Sequence, residues 1–355
     1  MRYKINYEPL YEDECNDILS YIINDKSIKT DMNEMITNRG SKYKSVITQY
    51  FKQSIELEKY IKKHITFSMP GYETTGQQLA EFLFRERDIT KYLFAKATFY
   101  CNYFANETSA DKEIAILATV DGDLILSILE MDTPPPPITY SEFFTLLDKC
   151  QTSDENKLDA MRMYHNFDLY LGYYTAITTQ VKELILAHRP NIIAEMTPLM
   201  DRMNTEAQTI VRDEFNVTLD DKQLYSVYPS IYRVNSASLM TVGYAEKAPF
   251  TIGFHMLDLN DLFKDTKTAG EDAEAFLKCI SDSTKLSILK LLKDSPMYGS
   301  QLAEKLSCTG ANISHHASAL LSLGLVHYEK ENNRIYIHLD KEKIIRHIDD
   351  LKELF

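Results

Sequence analysis

The chain has 355 residues, enough for two or three domains of ordinary size. Hydrophobic residues make up 44% and charged residues 26%, so sizeable cores of a globular protein are expected. No apolar run approaches the roughly 18 residues of a membrane-spanning helix, which excludes an integral membrane protein of that kind. The first residues lack the apolar core of a signal peptide, and the five cysteines never show CxxC spacing. We therefore expect reduced thiols and a cytoplasmic protein that does not bind a membrane.

The net charge of −13 is unevenly distributed along the chain. Residues 271–355 hold 13 Asp and Glu against 11 Lys and Arg, a net charge of −2, whereas the preceding residues have a net charge of −11. Five of the nine histidines also lie in this last part. Because local charge decides contact with phosphates, the overall acidity does not exclude nucleic-acid binding by the C-terminal part.

Residues 1–264 are predicted to fold mainly into helices. Apolar residues recur at helical spacing in four stretches, at 12–63, 77–105, 111–131 and 155–215. The prolines at 134–137 cannot continue a helix, and Ser141 is the expected N-cap of the helix that follows them. Pro190 and Pro198 are expected to interrupt the last stretch.

After Val217 the sequence changes to short segments rich in Tyr, Val, Ile and Thr. Such segments are typical of strands, and we expect them at 224–228, 238–244 and 250–256. Residues 2–7 alternate in the same way and could join them in a small antiparallel sheet. The predicted fold class is therefore mainly α, of the α+β type.

Beyond a polar boundary at 264–272, the signals for a helix-turn-helix agree with one another. Apolar stripes predict short helices over 273–280, 284–293 and 299–306. A tight turn then leads into a fourth helix, for which Thr309 is the expected N-cap. Two short helices joined by a tight turn place the second one in the major groove of DNA.

The fourth helix is predicted to have one apolar and one small, polar face. At 100° per residue, Ile313, Ala317 and Leu320 point to the core. A merely solvated helix would more usually carry Lys and Glu on the opposite face, so its small polar residues favour contact with base edges. The residues predicted to contact DNA from this helix and its cap are Thr309, Ala311, Asn312, Ser314, His315, His316 and Ser318.

The segment 325–339 is predicted to form a β-hairpin. With Asn332-Asn333 as its turn, Glu331 faces Arg334, His327 faces His338 and Val326 faces Leu339. This register gathers the apolar residues of both strands on one buried face. The hairpin is the expected wing of a winged helix, and its tip would present to DNA the side chains of Lys330, Asn332, Asn333 and Arg334.

Three segments of the C-terminal part form a combined signature. Residues 280–289 read ISDSTKLSIL, residues 302–306 read LAEKL, and Ser-His-His at 314–316 precedes Gly-Leu-Val at 324–326. Together they resemble the ArsR/SmtB family of bacterial winged-helix repressors, whose opening motif usually reads LSDPTRLRIL. The resemblance implies a winged-helix domain over 271–355 that regulates transcription by binding double-stranded DNA. Residues 1–264 would then form a mainly helical domain that senses an unidentified small-molecule effector, mediates assembly, or does both.

The resemblance also implies a homodimer. In this family the helices that flank the winged helix build the dimer, and here they would be 273–280 and 341–354. The last helix carries an apolar stripe that so small a domain could hardly bury alone. The residues expected at the interface are Phe276, Ile344, Ile348 and Leu351.

The chain departs from the family at its metal-binding positions. Residues 298–303 lack the cysteines of the usual ELCVCD motif, and no second histidine follows His347 on the last helix. Ala317 and Ser318 also replace a usual Leu-Lys pair, which removes a phosphate contact. His327 and His338 alone make an incomplete zinc site, so polar packing between strands is their expected role. No metal and no cofactor are predicted.

No nucleophile elbow, P-loop, GxGxxG or HExxH motif is present, so we expect a regulator and not an enzyme. Two alternatives stay open at this point. The first is a bifunctional enzyme with a regulatory winged helix, and the second is an adaptor whose winged helix binds protein. Aromatic clusters at 92–104 and 164–174 could line an effector pocket, although core packing is their default interpretation.

Overall fold

The protein is described here by a computed structural model that covers residues 2–85, 112–118, 136–150, 152–218, 224–239, 247–264, 269–331 and 334–353. The structure is 68% helical with small mixed sheets, which confirms the predicted mainly α class of the α+β type. The aromatic cluster at 92–104 and the turn residues Asn332 and Asn333 lie outside the described residues.

The predicted helices and strands that lie within the described residues occur in the expected order, and three short elements, at 217–218, 256–264 and 297–298, were not predicted. The helices are α1 (Tyr11–Ile23), α2 (Ile28–Arg39), α3 (Lys44–His64), α4 (Gly76–Phe84), α5 (Lys112–Ala118), α6 (Tyr140–Lys149), α7 (Asp154–His165), α8 (Phe167–His188), α9 (Ile192–Phe215), α10 (Met256–Lys264), α11 (Ala269–Ile280), α12 (Ser283–Leu292), α13 (Gly299–Leu306), α14 (Gly310–Ser322) and α15 (Lys341–Glu353). The strands are β1 (Arg2–Ile5), β2 (Val217–Thr218), β3 (Leu224–Ser230), β4 (Ala237–Leu239), β5 (Lys247–Gly253), β6 (Met297–Tyr298), β7 (Val326–Glu331) and β8 (Arg334–Leu339).

Two local predictions in the helical part are wrong. Thr139, and not Ser141, caps α6, because Thr139 and Glu142 form a capping box in which each side chain accepts the other's backbone N–H. Pro198 lies inside α9 without ending it. The proline removes one helical hydrogen bond, but Met196 and Met200 on either side of it are fully buried and hold the helix together.

The first sheet is mixed, whereas an antiparallel sheet was expected. Its strand order is β1-β3-β5-β4, with β1 and β5 parallel to β3 and only β4 antiparallel to its neighbour β5. The prediction that residues 2–7 join this sheet is confirmed by the pairing of β1 with β3. Parallel pairing arises because the whole helical segment between β1 and β3 forms a long crossover connection.

The buried apolar side chains of the described residues form three clusters. The largest lies mainly among α1–α4 and α6–α8, and the second packs α9 against the first sheet. In the first of these, Tyr173 and Tyr174 are fully buried, so their part of the aromatic cluster at 164–174 packs in the core. The third cluster consists entirely of residues between Phe276 and Leu351 and belongs to the winged-helix part of the chain.

A short strand from the first part of the chain pairs with the wing. β2 runs parallel to β7, so the second sheet has the order β2-β7-β8-β6. Asn216, the C-cap of α9, has a left-handed backbone with φ of 52° and turns the chain towards the wing. Its carbonyl oxygen accepts the backbone N–H of Tyr328 at 2.9 Å, and its amide donates to the carbonyl of Leu321 at 3.4 Å.

We expect Asn216→Val to destabilise the protein, because a β-branched residue at positive φ costs about 1–3 kcal/mol. Asn216→Gly is the matched control, since glycine adopts this backbone conformation without that cost. Thermal unfolding measures the loss of stability, and hydrogen exchange at the Tyr328 amide reports the loosened wing. Equal unfolding midpoints and exchange rates in the two variants would contradict this role of Asn216.

Candidate nucleic-acid interface

The N-terminus of α12 fixes one side of the helix-turn-helix. Asp282 caps α12, and its Oδ1 accepts the backbone N–H groups of Thr284 at 3.0 Å and Lys285 at 2.9 Å. These hydrogen bonds, above all that from Lys285, hold the pKa of Asp282 below its ordinary value, and the nearby His316 lowers this pKa further. His316 Nδ1 lies 3.7 Å from the same carboxylate oxygen.

His316 therefore points back into the protein, although it was predicted to contact DNA. At 100° per residue, position 316 lies only about 60° around the helix from the buried Ile313, on the flank of the core-facing side. Its side chain is half-buried and faces the cap of α12. This approach of His316 to Asp282 is longer than an ordinary hydrogen bond, and it places α14 beside the start of α12.

The turn between α13 and α14 has the predicted cap. Ser307 ends α13 in a left-handed conformation with φ of 52°, and the N–H of Cys308 donates to the carbonyl of Ala303 at 3.0 Å. Thr309 Oγ1 accepts the N–H of Asn312 at 3.3 Å, which confirms Thr309 as the N-cap of α14. Cys308 is half-buried and packs against the third apolar cluster.

The two predicted faces of α14 are confirmed. Ile313, Ala317 and Leu320 are at most 1% exposed and form part of the third apolar cluster. The side chain of Ala311 lies outside what the structure describes. The exposed polar residues on the opposite face and flanks are Asn312, Ser314, His315 and Ser318.

The hairpin register is confirmed residue by residue. β7 and β8 pair Val326 with Leu339, His327 with His338 and Glu331 with Arg334, and β6 extends the sheet on the other side of β8. Arg334 is exposed, and its guanidinium stacks 4.7 Å from the ring centroid of Tyr298. Arg334 is thus placed near the end of the wing, as predicted.

Lys330 is not presented at the tip of the wing, which corrects the prediction. Its side chain is only 5% exposed, and its Nζ lies 5.9 Å from the ring centroid of Tyr225 in β3. The reason is the alternation along β7, which puts position 330 on the same inward face as Val326 and Tyr328. In this arrangement the ammonium group faces the first sheet and is not available to a phosphate.

Comparison with protein families decides what this region is. Residues 282–328 match the family model of the bacterial regulatory protein, arsR family. This region is similar to the helix-turn-helix of the arsR family. The resemblance inferred from the sequence is thereby confirmed for the C-terminal part, and it indicates a DNA-binding regulator. The rest of the chain has no family assigned, and neither the curated proteins nor the solved structures gave a match.

The helices that flank the arsR-type region pack on each other. The ring of Phe276 in α11 stacks on that of His347 in α15, with centroids 5.0 Å apart and planes at 8°. His347 is buried, and its Nε2 lies 3.2 Å from the carbonyl oxygen of Leu323. His347 thus contacts both α11 and the end of α14.

This packing buries three of the four predicted dimer-interface residues fully or partly and leaves one exposed. Phe276 is 3% exposed and lies in the third apolar cluster, and Ile344 and Leu351 are partly buried against that cluster. Of the four predicted residues, only Ile348 is exposed, at 41%. Two further large apolar side chains of these helices, which are not among the four predicted interface residues, are exposed: Leu277 of α11 at 47% and Ile345 of α15 at 57%. We call Leu277, Ile345 and Ile348 the exposed apolar patch.

On the face of the wing opposite to Val326, Tyr328 and Lys330, here called the outer face, β7 and β8 carry another group of polar side chains. The rings of His327 and His338 stack with centroids 5.1 Å apart, as their predicted pairing requires. Burial, and then the charge of His338, lowers the pKa of His327. Glu329 lies beside them, with Oε2 3.5 Å from Nε2 of His338. Glu329 was not among the predicted site residues, although the two-residue period of a strand places it on the same face as His327.

A cavity of about 250 Å³ lies in the N-terminal part, among α1, α2, α3 and the segment after β3. Its polar lining includes Asp17, Asp31 and Arg233, and Phe51 supplies an apolar wall. Arg233 Nη1 lies 3.1 Å from a carboxylate oxygen of Asp13, and its Nε lies 2.5 Å from one of Asp17.

Within the described residues, no helix is both long and apolar enough to cross a membrane.

We expect Arg334→Met to weaken binding to a random-sequence DNA duplex and to flatten its salt dependence. Loss of one phosphate contact changes the slope of log K against log salt concentration by about 0.9. Lys330→Met is the matched control and should leave this slope unchanged, because Nζ of Lys330 faces Tyr225. Fluorescence anisotropy over a series of salt concentrations measures both slopes. A larger change of the salt-dependence slope in Lys330→Met than in Arg334→Met would contradict the placement of these two side chains.

Proposed function

We propose that this protein is a cytoplasmic transcription regulator that binds a specific double-stranded DNA site and represses transcription by occupying it. One observation carries the proposal: within the arsR-type region, α14 buries Ile313, Ala317 and Leu320 and exposes a small, polar face. Short side chains on this face let a helix lie deep in the major groove, where base edges can be distinguished.

Different parts of the interface serve affinity and specificity. Ser314 and His315 near the start of α14 supply hydrogen-bonding groups for base edges. Arg334 of the wing supplies a positive charge for a phosphate, which adds affinity without reading sequence. The acidity of the chain resides mostly before residue 271, and the part that contains α14 and the wing has a net charge of only −2.

We infer that two copies of the chain associate through the exposed apolar patch. Leu277, Ile345 and Ile348 are large apolar side chains on two helices that pack on each other, and each is at least 41% exposed. Burial of such a patch against its own copy stabilises a two-fold dimer. Two recognition helices would then meet successive major grooves of a near-palindromic site, roughly 34 Å apart.

We further propose that residues 1–264 sense a small-molecule effector or support assembly, and that they have no enzymatic role. The cavity lined by Asp17, Asp31 and Arg233 offers charged groups to a small polar ligand. The pairing of β2 with β7 supplies a direct connection from this part of the chain to the wing. A ligand that shifts α9 or β2 would therefore act on the position of the wing.

We expect His315→Ala and Ser314→Ala to lower affinity for the specific site more than affinity for random DNA. Each good base contact contributes roughly 1–3 kcal/mol of discrimination. His165→Ala is the matched control, because His165 is exposed at the end of α7 and far from α14 in sequence. The site is first selected from genomic fragments with the purified full-length protein, and affinities are then measured on both duplexes. Equal losses on both duplexes, or no DNA binding at all, would favour the protein-binding alternative.

We expect the full-length protein to sediment as a dimer and the Ile348→Asp variant to sediment as a monomer, because a buried unpaired carboxylate is strongly unfavourable in an apolar interface. Ile193→Asp is the control, since Ile193 is also exposed, at 40%, but lies on α9. Analytical ultracentrifugation at micromolar concentration measures both. A monomeric wild type, or an Ile348→Asp variant that still dimerises, would show that the patch is not the interface.

A further inference from the structure

The outer face of the wing brings together side chains that are separated in sequence but adjacent in the sheet. His327 and His338 are direct cross-strand partners in β7 and β8, and Glu329 follows His327 two residues later on the same face. One ligand atom from each of the three residues can be chosen so that all lie within 4.8 Å of one another. Among the residues that the structure describes, this is the group of histidine, cysteine and acidic side chains with metal-binding spacing.

A second observation points to a missing ligand at the same place. His338 Nε2 is buried, and no hydrogen-bond partner for it exists among the described residues. Its nearest acceptor is Glu329 Oε2 at 3.5 Å, which is longer than an ordinary hydrogen bond. Buried polar atoms nearly always have a partner, so an imidazole nitrogen in this position calls for one.

We propose that His327, Glu329 and His338 bind a divalent transition-metal ion of the Zn²⁺ type on the outer face of the wing. Two imidazole nitrogens and one carboxylate oxygen form a donor set that Zn²⁺ accepts with a water molecule in the fourth position. Tetrahedral ligands about 2.0–2.1 Å from the ion lie roughly 3.4 Å apart, so the side chains need to close by little more than 1 Å. Rotations about their side-chain torsions supply this movement.

The donor set also selects the kind of ion. No thiol belongs to the group, so soft ions that prefer sulfur ligands are disfavoured, and imidazole favours borderline ions. The negative charge of Glu329 partly compensates the charge of the ion. The site uses neither the positions of the family's cysteine motif nor His347, which is stacked on Phe276. It is therefore a separate site, and it does not depend on the proposed DNA-binding function.

A bound ion would join the two strands of the wing. His327 lies on β7 and His338 on β8, next to the Val326–Leu339 pair at the base of the hairpin. Glu329 is also the residue that pairs with Thr218 of β2. The ion would thus fix the base of the wing and its connection to the N-terminal part, and Arg334 at the far end does not take part in the site.

Zinc binding by the full-length protein tests this proposal. After removal of metal with a chelator, titration with Zn²⁺ is followed by calorimetry, and we expect one ion per chain. His338→Gln and Glu329→Gln should each weaken binding at least about 100-fold, because loss of a direct ligand exceeds the 10–100-fold effect of an outer partner. His165→Gln is the matched control and should bind as the wild type does. Circular dichroism verifies the fold, and Glu329→Gln keeps the shape of a half-exposed side chain.

Cobalt distinguishes this site from adventitious binding to cysteines. Co²⁺ at two imidazoles and a carboxylate gives visible bands without the thiolate charge-transfer band in the near ultraviolet. We expect the visible bands in the wild type and their loss in the folded His327→Gln/His338→Gln variant. The proposal is overturned if the wild type takes up no Zn²⁺ at equimolar concentration, if the double variant binds as tightly as the wild type, or if the thiolate band dominates.

Discussion

The arrangement of the whole C-terminal part depends on the burial of one face of α14. Ile313, Ala317 and Leu320 lie at the centre of the third apolar cluster, where each is almost inaccessible to water. Burial of side chains of the size of Ile313 and Leu320 contributes about 1.5–3 kcal/mol each. A turn of the helix about its axis would expose them and bury serine and histidine side chains without partners, which costs further free energy. The outward face of α14 is thus fixed by what the inward face must bury.

Contacts along α14 fix its position, in addition to its rotation about its own axis. Thr309 caps its first turn, and His316 lies against the carboxylate of Asp282 at the start of α12. Near its C-terminal end, the carbonyl of Leu321 accepts the amide of Asn216, a residue of the N-terminal part. α14 is therefore held by its own cluster, by the start of α12 and by the end of α9.

Side chains alternate between the two faces of β7, and this gives the wing two different surfaces. Val326, Tyr328 and Lys330 face inward, so even a lysine is buried against Tyr225. His327 and Glu329 face outward and meet His338 from the next strand. The inward face joins the wing to the rest of the protein, and the outward face leaves a set of polar side chains that the DNA-binding role does not use. These two roles coexist because successive residues of a strand point to opposite sides.

The sequence by itself determined the helix-turn-helix, the faces of α14 and the register of the hairpin, because each depends on the local periodicity of nearby residues. It did not determine contacts between distant segments. The parallel pairing of β2 with β7, the burial of Lys330 against Tyr225 and the stacking of Phe276 on His347 join residues far apart in the chain. The same holds for the mixed first sheet, where the direction of β1 beside β3 follows from the path of the helices between them. Periodicity specifies which face of an element is buried, but only the tertiary structure decides what buries it.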